Sequence, residues 1–451
     1  MTIKAPPLDI FKSLLKISLP VMFGSAVETL YNLTDAFFLG RLGTAEIGAP
    51  SIAFSIVFFV TVFGIGLSGA GTTLIAQSKG KRDEAKMNHY MNQTTSLLIV
   101  ASVTLAAVGS IVAAPLLRLL NTPGDVFGYA LVYMRIVFLG IPFVFMYFAL
   151  QAAFVAIGDT VTPIKVHLLA VALNVVLDPL LIFGLGPCPA LGVAGAALAT
   201  ILSQAVGAAL SLLVLRKGRS GLRLSASELK PSPKAWRLLL RIGLPASVGQ
   251  GLSAFGFTVL QSVVNMFGTA AIAAFGVGNR IMNLFDIPVH GIANGTTSLV
   301  GRAMGAKDER LAMSVVKNSL WMVLLFEIPL LSMAFVYGGG LVRLFVADPE
   351  AIRLGDIMFK VVTPSLLTFG LFFAMSGAFQ GAGDTKIILF LSVFRLWAVR
   401  VPLAYFLAYR TALGPLSIWV AMFASNFLTA GIGFAYFLSG RWKRALDPDA
   451  I

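Results

Sequence analysis

Twelve apolar runs follow one another along the chain, each near the roughly 20 residues that a helix needs to cross a bilayer. They fall at about 14–38, 49–76, 91–113, 128–155, 166–186 and 191–215, then at 238–264, 272–300, 318–337, 357–380, 387–409 and 417–438. The pattern predicts twelve membrane-spanning helices. The polar segments between them are unequal. Lys79, Lys81, Arg82 and Lys86 follow span 2, and Arg216, Lys217, Arg219, Arg223, Lys230, Lys234 and Arg237 follow span 6. Arg302, Lys307 and Arg310 follow span 8, and Arg441, Lys443 and Arg444 follow span 12. The alternate loops carry little charge. Excess Lys and Arg marks the cytoplasmic side, so both termini are expected there.

The chain also repeats itself. LLKISLP at 14–20 returns as LLRIGLP at 239–245, and GTAEIGAP at 43–50 as GTAAIAAF at 268–275. TTLIAQSKGKRDE at 72–84 returns as TSLVGRAMGAKDE at 297–309, and FVAIGDT at 154–160 as FQGAGDT at 379–385. Every pair is 225 positions apart. Six spans per repeat is an even number, so both halves cross in the same sense. They are expected as two lobes, 1–215 and 238–451, related by a pseudo-twofold axis along the membrane normal and arranged as a V, with 216–237 as a basic cytoplasmic linker.

Composition supports this class. Apolar residues are 57% of the chain, charged residues 12%, and mean hydropathy is +0.88. A soluble domain carries about 25% charge. The net charge of +14 is concentrated in the basic segments after spans 2, 6, 8 and 12 and does not suggest a nucleic-acid partner; the expected partners are the lipid bilayer of the cell inner membrane and small organic compounds, and the protein is expected to act as a monomer. One cysteine, Cys188, excludes an internal disulfide. The N-terminal stretch lacks the short apolar core of a cleaved signal.

Carboxylates within apolar runs are expensive and point to function. Asp178 lies in span 5, before Pro179 and one turn after Asn174. In span 1, Glu28, Tyr31 and Asp35 are spaced by three and four and share a face. Pro20, earlier in that span, removes a backbone hydrogen bond and marks a possible hinge. His167, Asn174 and Asp178 share a face of span 5, with His167 about 16 Å from Asp178 along the axis at ~1.5 Å per residue; an interfacial histidine near Lys165 is the competing reading. The second repeat has Leu260 and Ser253 where the first has Asp35 and Glu28, and it reads AVRVPLAY around the Asp178 equivalent. An architectural acid should recur in both halves. This asymmetry favours function.

The segments LPVMFGSAVETLYNLTDAFFLGRLG, NVVLDPLLIFGLG and FQGAGDT resemble the multidrug and toxic compound extrusion (MATE) family across essentially the whole chain. The acid pattern is similar to its DinF-like branch. The resemblance implies an all-α polytopic MATE fold of twelve transmembrane helices in two pseudo-twofold-related six-helix lobes. It also implies a proton or cation site built from Asp35, Asn174, Asp178 and Thr200, with Pro20 as the bending proline. Where relatives have a cavity glutamine in span 1, this chain has Glu28. Glu28, Tyr31, Gln151 and His167 are assigned to the substrate cavity.

The chemistry of such a site is antiport. Two carboxylates in a low-dielectric pocket repel and share a proton, and a cationic substrate competes with that proton. Asn174 and Thr200 could complete an oxygen shell for Na⁺, a hard cation. No cofactor is expected beyond H⁺ or Na⁺ as the coupling ion. The 35 Phe and 15 Met suit a cavity that repacks around different compounds.

A second polar stripe runs along span 8: Asn279, Asn283, Asp286, His290 and Asn294. Asp286 and His290 are an i, i+4 pair suited to an ion pair or proton relay; alternatively the stripe packs against Arg395 or Arg400. Glu327, beside Pro329, reads as a packing residue. No spacing suits a metal site, a nucleotide loop or a Ser–His–Asp triad, so no catalytic residue is assigned and the chain is not expected to be an enzyme. The reading is a secondary active exporter of organic, cationic or amphipathic compounds driven by H⁺ or Na⁺. A lipid-linked oligosaccharide or lipid flippase is the alternative within the superfamily, and a non-transporting membrane enzyme or receptor the alternative from another class.

Overall fold

Long apolar runs fold into helices in a bilayer because each backbone N–H and C=O must find its partner within the segment. The structure, a computed structural model, describes residues 7–120, 122–184 and 189–444. Cys188 lies outside them. Twelve membrane-length helical segments follow in order. The first six are α1 (Pro7–Gly40), α2 (Thr44–Gly80), α3 (Glu84–Leu119), α4 (Gly124–Ala156), α5 (Val161–Phe183) and α6 (Val193–Arg216). The second six are α7 (Pro233–Asn265), α8 (Thr269–Gly305), α9 (Glu309–Arg343), α10 (Pro349–Ala382), a segment of α11 (Thr385–Val393), a π-helical turn (Phe394–Arg400) and α12 (Val401–Arg410), and finally α13 (Leu416–Leu438). Eleven of these are apolar enough to cross a membrane by composition among the described residues. The twelfth, α8, is 37 residues long, and its polar stripe lowers its hydropathy. Many large apolar side chains face outward, Ile111 and Trp321 among them, as lipid requires and water would not.

The 225-residue repeat is visible in local structure. Asp83 caps α3 by accepting from the Lys86 N–H at 2.9 Å, and Asp308 caps α9 by accepting from the Leu311 N–H at 2.9 Å. Arg82 and Lys307, one residue before each cap, both take a left-handed φ, 57° and 56°. Gly158 and Gly383 do the same at 82° and 85° in the two GDT turns, where glycine pays no Cβ penalty. The residues after them have diverged. Asp159 accepts from the N–H and hydroxyl of Thr162, whereas Asp384 accepts from the Tyr436 hydroxyl.

Two compact units form. One is Phe23–Ser247; the other is Met1–Met22 with Val248–Ile451. Their limits fall inside α1 and α7, two residues after Pro20 and Pro245, and not in the basic linker. The units therefore differ from the expected lobes by two exchanged helical pieces. In the first unit α4 is central, packed on α2, α3 and α6, with Phe138, Phe145 and Phe154 fully buried. In the second, α10 is central, packed on α8, α9 and α13.

Each exchanged piece is held by a glycine contact. In the first unit a Cβ on Gly66 of α2 would lie 2.8 Å from the Gly243 carbonyl oxygen of α7 and 2.1 Å from Ser247 Oγ. In the second, a Cβ on Gly291 of α8 would lie 2.9 Å from the Ser18 carbonyl oxygen of α1 and 2.6 Å from Met22 Cγ. These are equivalent positions of the repeat. Small residues let two backbones approach where the hydrophobic effect gives no preference between helix and lipid. Around the second contact, Ile10, Leu14 and Met22 join a core with Ile292 and Val300. Gly291→Leu is expected to lower thermal stability markedly, and Gly276→Leu, where a Cβ meets nothing, to leave it unchanged; melting of the purified variants is the check.

Candidate functional site

The site is set by the α5–α6 hairpin. Pro179 sits inside α5, which ends at Gly184 with a left-handed φ of 72°. The carbonyls of Leu181 and Ile182, freed near that end, accept from the N–H groups of Leu191 and Gly192 at 3.0 and 3.1 Å. Gly195 of α6 packs closely on α5: a Cβ there would be 2.3 Å from the Leu181 carbonyl oxygen. This close packing brings Thr200 of α6 opposite Asn174 of α5.

Asn174 and Asp178 are both buried, at 2% and 0% exposure. With the Asn174 amide turned so that both ends find partners, Nδ2 donates to Asp178 Oδ2 at 3.2 Å and Oδ1 accepts from the Thr200 N–H at 3.2 Å. The Thr200 hydroxyl lies 3.2 Å from the Tyr31 hydroxyl of α1. Three helices thus meet in one hydrogen-bonded chain, Tyr31–Thr200–Asn174–Asp178. Asp35 belongs to the backbone of α1 but lies outside the described side chains. The sequence assigns Tyr31 to the substrate cavity, and in the structure its hydroxyl lies beside that of Thr200. Span 1 periodicity placed Tyr31 on the right face but could not show which helix that face meets. Tyr31→Phe removes one hydrogen bond and is expected to cost about 1 kcal/mol, read as a small fall in melting temperature.

Glu28, Gln151 and His167 are not joined to this chain by any hydrogen bond described. The His167 ring stacks on Tyr147 of α4, with centroids 5.3 Å apart. Glu28 is exposed and acts electrostatically on both Tyr147 and His167. Gln151 is half-buried, one turn beyond Tyr147 on α4. These residues form a second group in the same unit, made of α1, α4 and α5. α1 runs unbroken through Pro20.

In the other unit, the sequence named His290 and Arg395 as neighbours for Asp286 of the α8 stripe but did not pair Glu327 with it. Asp286 interacts electrostatically with His290, Arg395 and Glu327. His290 sets its ring edge-on to Phe373 at 4.6 Å, and Arg395 lies over Phe369 at 4.2 Å. Asn294 donates back to the His290 carbonyl at 3.0 Å, while Asn279 is half-buried and Asn283 exposed. Arg400 goes elsewhere: fully buried, it donates to Ser425 Oγ at 2.8 Å and to Asn426 Oδ1. Glu327 is 1% exposed, with its carboxylate packed where a Cβ on Gly370 would collide. A lone carboxylate in an apolar span carries no periodic signal, so its neighbours were not legible beforehand. Among the described residues no group of three or more His, Cys, Asp or Glu is placed to hold a metal ion.

The MatE family model matches residues 20–180 and again 245–406, two blocks whose starts are 225 positions apart. The chain is 30% identical over 440 residues to the probable multidrug resistance protein YpnP of Bacillus subtilis, covering 96% of both chains. It is 27% identical over 440 residues to the probable multidrug resistance protein NorM of Thermotoga maritima, covering 97% of this chain and 94% of that one. Among solved structures, a multidrug resistance MATE family transporter of the MOP superfamily in an outward-facing conformation superposes with a TM-score of 0.89 at 25% identity over 97% of each chain. A MOP superfamily transporter from Pyrococcus furiosus, whose binding pocket is described as reversed in polarity and as suggesting a different function, superposes at 0.88 with 25% identity over 95% of each chain. With both halves of the sequence matched and the whole fold shared, the chain belongs to the MatE family of multidrug and toxic compound extrusion transporters.

Proposed function

We propose that this protein is a secondary active multidrug exporter that exchanges organic cations or amphipathic compounds for H⁺ or Na⁺. Members of its family are transporters, not enzymes, and it is a multi-pass membrane protein. The observation that carries the coupling mechanism is the chain from half-buried Tyr31 and Thr200 to buried Asn174 and Asp178. A carboxylate held by an amide in a dry pocket can be neutralised by a proton or by a small hard cation, and Asn174 and Thr200 supply oxygen ligands for the latter. Asp35 completes the coupling site in this reading, as in the DinF-like branch. Protonation or cation binding weakens the pull on a cationic substrate; loss of the ion restores it. That competition drives exchange.

In the same reading the lobes are 1–215 and 238–451, the linker 216–237 and both termini are cytoplasmic, the transporter is a monomer in the plasma membrane, and Pro20 is the place where α1 bends. Glu28, with Tyr147 and His167 near it, attracts cationic substrates, and Gln151 lines the same cavity. The flippase alternative needs cations free to hold phosphate, and Arg400 is committed to Ser425 and Asn426.

The deciding measurement is substrate efflux from vesicles with the pH and Na⁺ gradients collapsed separately. Efflux should stop when one of the two is removed. Efflux that survives collapse of both overturns the antiport reading. Glu28→Gln should weaken export of cations more than of neutral compounds while ion-driven exchange persists. Equal loss for all substrates with a shifted pH optimum would instead put Glu28 in the coupling site.

A further inference from the structure

The basic linker is not a loose tether. Along the first three turns of α3, Asn88, His89, Asn92, Gln93 and Ser96 lie on one face, and the linker runs across it. Asn88 Nδ2 donates to the Gly221 carbonyl at 2.9 Å, and its Oδ1 accepts from the Arg223 N–H at 2.7 Å. Asn92 repeats the motif one turn on, donating to the Arg223 carbonyl at 3.2 Å and accepting from the Ser225 N–H at 2.9 Å. Gln93 donates to the carbonyls of Glu228 and Lys230 at 2.7 and 2.8 Å and accepts from the Ser232 N–H at 2.8 Å. Ser96 donates to the Leu229 carbonyl at 2.7 Å, and His89 meets the Glu228 carboxylate at 3.1 Å.

All but the last of these contacts read main chain. Asn92 and Gln93 are each 1% exposed, and Leu222 of the linker is fully buried. An amide that both donates and accepts fixes a peptide segment as a neighbouring strand would, and buried amides left unpaired are costly. The repeat supplies a control. The positions 225 residues on from Asn88, Asn92, Gln93 and Ser96 are Met313, Lys317, Asn318 and Trp321. Among the described residues Asn318 bonds only within its own helix, to the Ser314 carbonyl. The ladder of the first half is not repeated at these positions of the second.

We infer that α3 is a backbone-reading clamp for the linker, and that Asn88, Asn92 and Gln93 are positioning residues for transport. The clamp makes 217–232 a rigid part of the Phe23–Ser247 unit, together with the first half of α7 that the linker feeds. The chain then leaves that unit through an unbroken helix at Ser247, not through a flexible loop.

Hydrogen exchange on the full-length protein in lipid nanodiscs tests this directly. The amides of Arg223, Ser225 and Ser232 should exchange about tenfold or more slowly in the native protein than in Asn92→Ala/Gln93→Ala. Trypsin should likewise cut the native linker slowly after Arg223 and the variant quickly. Equal exchange in both proteins overturns the clamp. So does rapid native cleavage there, a result that needs no variant to fold. Transport supplies the second readout: the variant should show a lower maximal efflux rate at unchanged apparent KM and unchanged pH and Na⁺ dependence. A freed linker with normal turnover would overturn the positioning role.

Discussion

Asp178→Asn is expected to reduce efflux to background while the protein folds and melts as before. The carboxylate is fully buried, and its described partner is the Asn174 amide, whose Nδ2 donates to it. An asparagine at 178 keeps the shape and an oxygen that can accept that bond, so the α5–α6 packing survives. What it cannot do is carry a negative charge. With no charge to neutralise, neither proton nor cation binding alters the site, and the gradient loses its handle on the substrate. Asp35→Asn should behave in the same way if both acids share the coupling ion. Efflux of a fluorescent cation, set beside thermal unfolding of the same preparation, separates loss of coupling from loss of fold. Normal export by both variants at neutral pH would move the coupling elsewhere, with Asp286 next in line.

The second large effect is expected from a residue with no chemistry of its own. Gly195→Ala puts a methyl group where the Leu181 carbonyl oxygen lies only 2.3 Å away, with the Leu181 carbonyl carbon at 2.6 Å. Carbon–oxygen contacts between helices normally sit at about 3.3–3.6 Å, so α5 and α6 must part by roughly 1 Å. The obstacle is backbone and cannot rotate away. Overpacking of this kind costs about 1–3 kcal/mol, and it widens the 3.2 Å contact between Asn174 and Thr200 one and a half turns along. Transport should therefore fall further than stability does. Gly207→Ala on the same helix pair is the control, since its Cβ would meet Ala170 Cβ at an ordinary 3.4 Å. Comparable damage from both substitutions would show that the hairpin is simply intolerant of change.

How much of this was legible in the sequence follows from which forces have a period. Burial in lipid sets the length of an apolar run, so the helices were readable, and the repeat stood out because duplication preserved turns such as Arg82–Asp83 and Lys307–Asp308. Asn174 and Asp178, four residues apart, were readable as one face of α5. The Tyr31–Thr200 contact was not, because 169 residues separate the partners and no local pattern records which helices touch. The α3 ladder was hidden for another reason: Asn88, Asn92 and Gln93 lie beside a charged loop, where amides look like ordinary solvated positions. The exchanged halves of α1 and α7 were equally hidden, since an apolar helix reads the same whichever neighbour it packs against.

The exchange at Gly66 and Gly291 bears on how such a chain could be divided. Cut between the repeats, neither piece would be self-sufficient. The first would carry Ile10, Leu14 and Met22, whose core includes Ile292 and Val300 of the second. The second would carry Gly243 and Ser247, which close on Gly66 of the first. Each piece owes the other a helical segment, so two co-expressed halves would be bound to one another by the same contacts that an unbroken chain makes. A half-length ancestor pairing with its own copy would have satisfied both seams in that way.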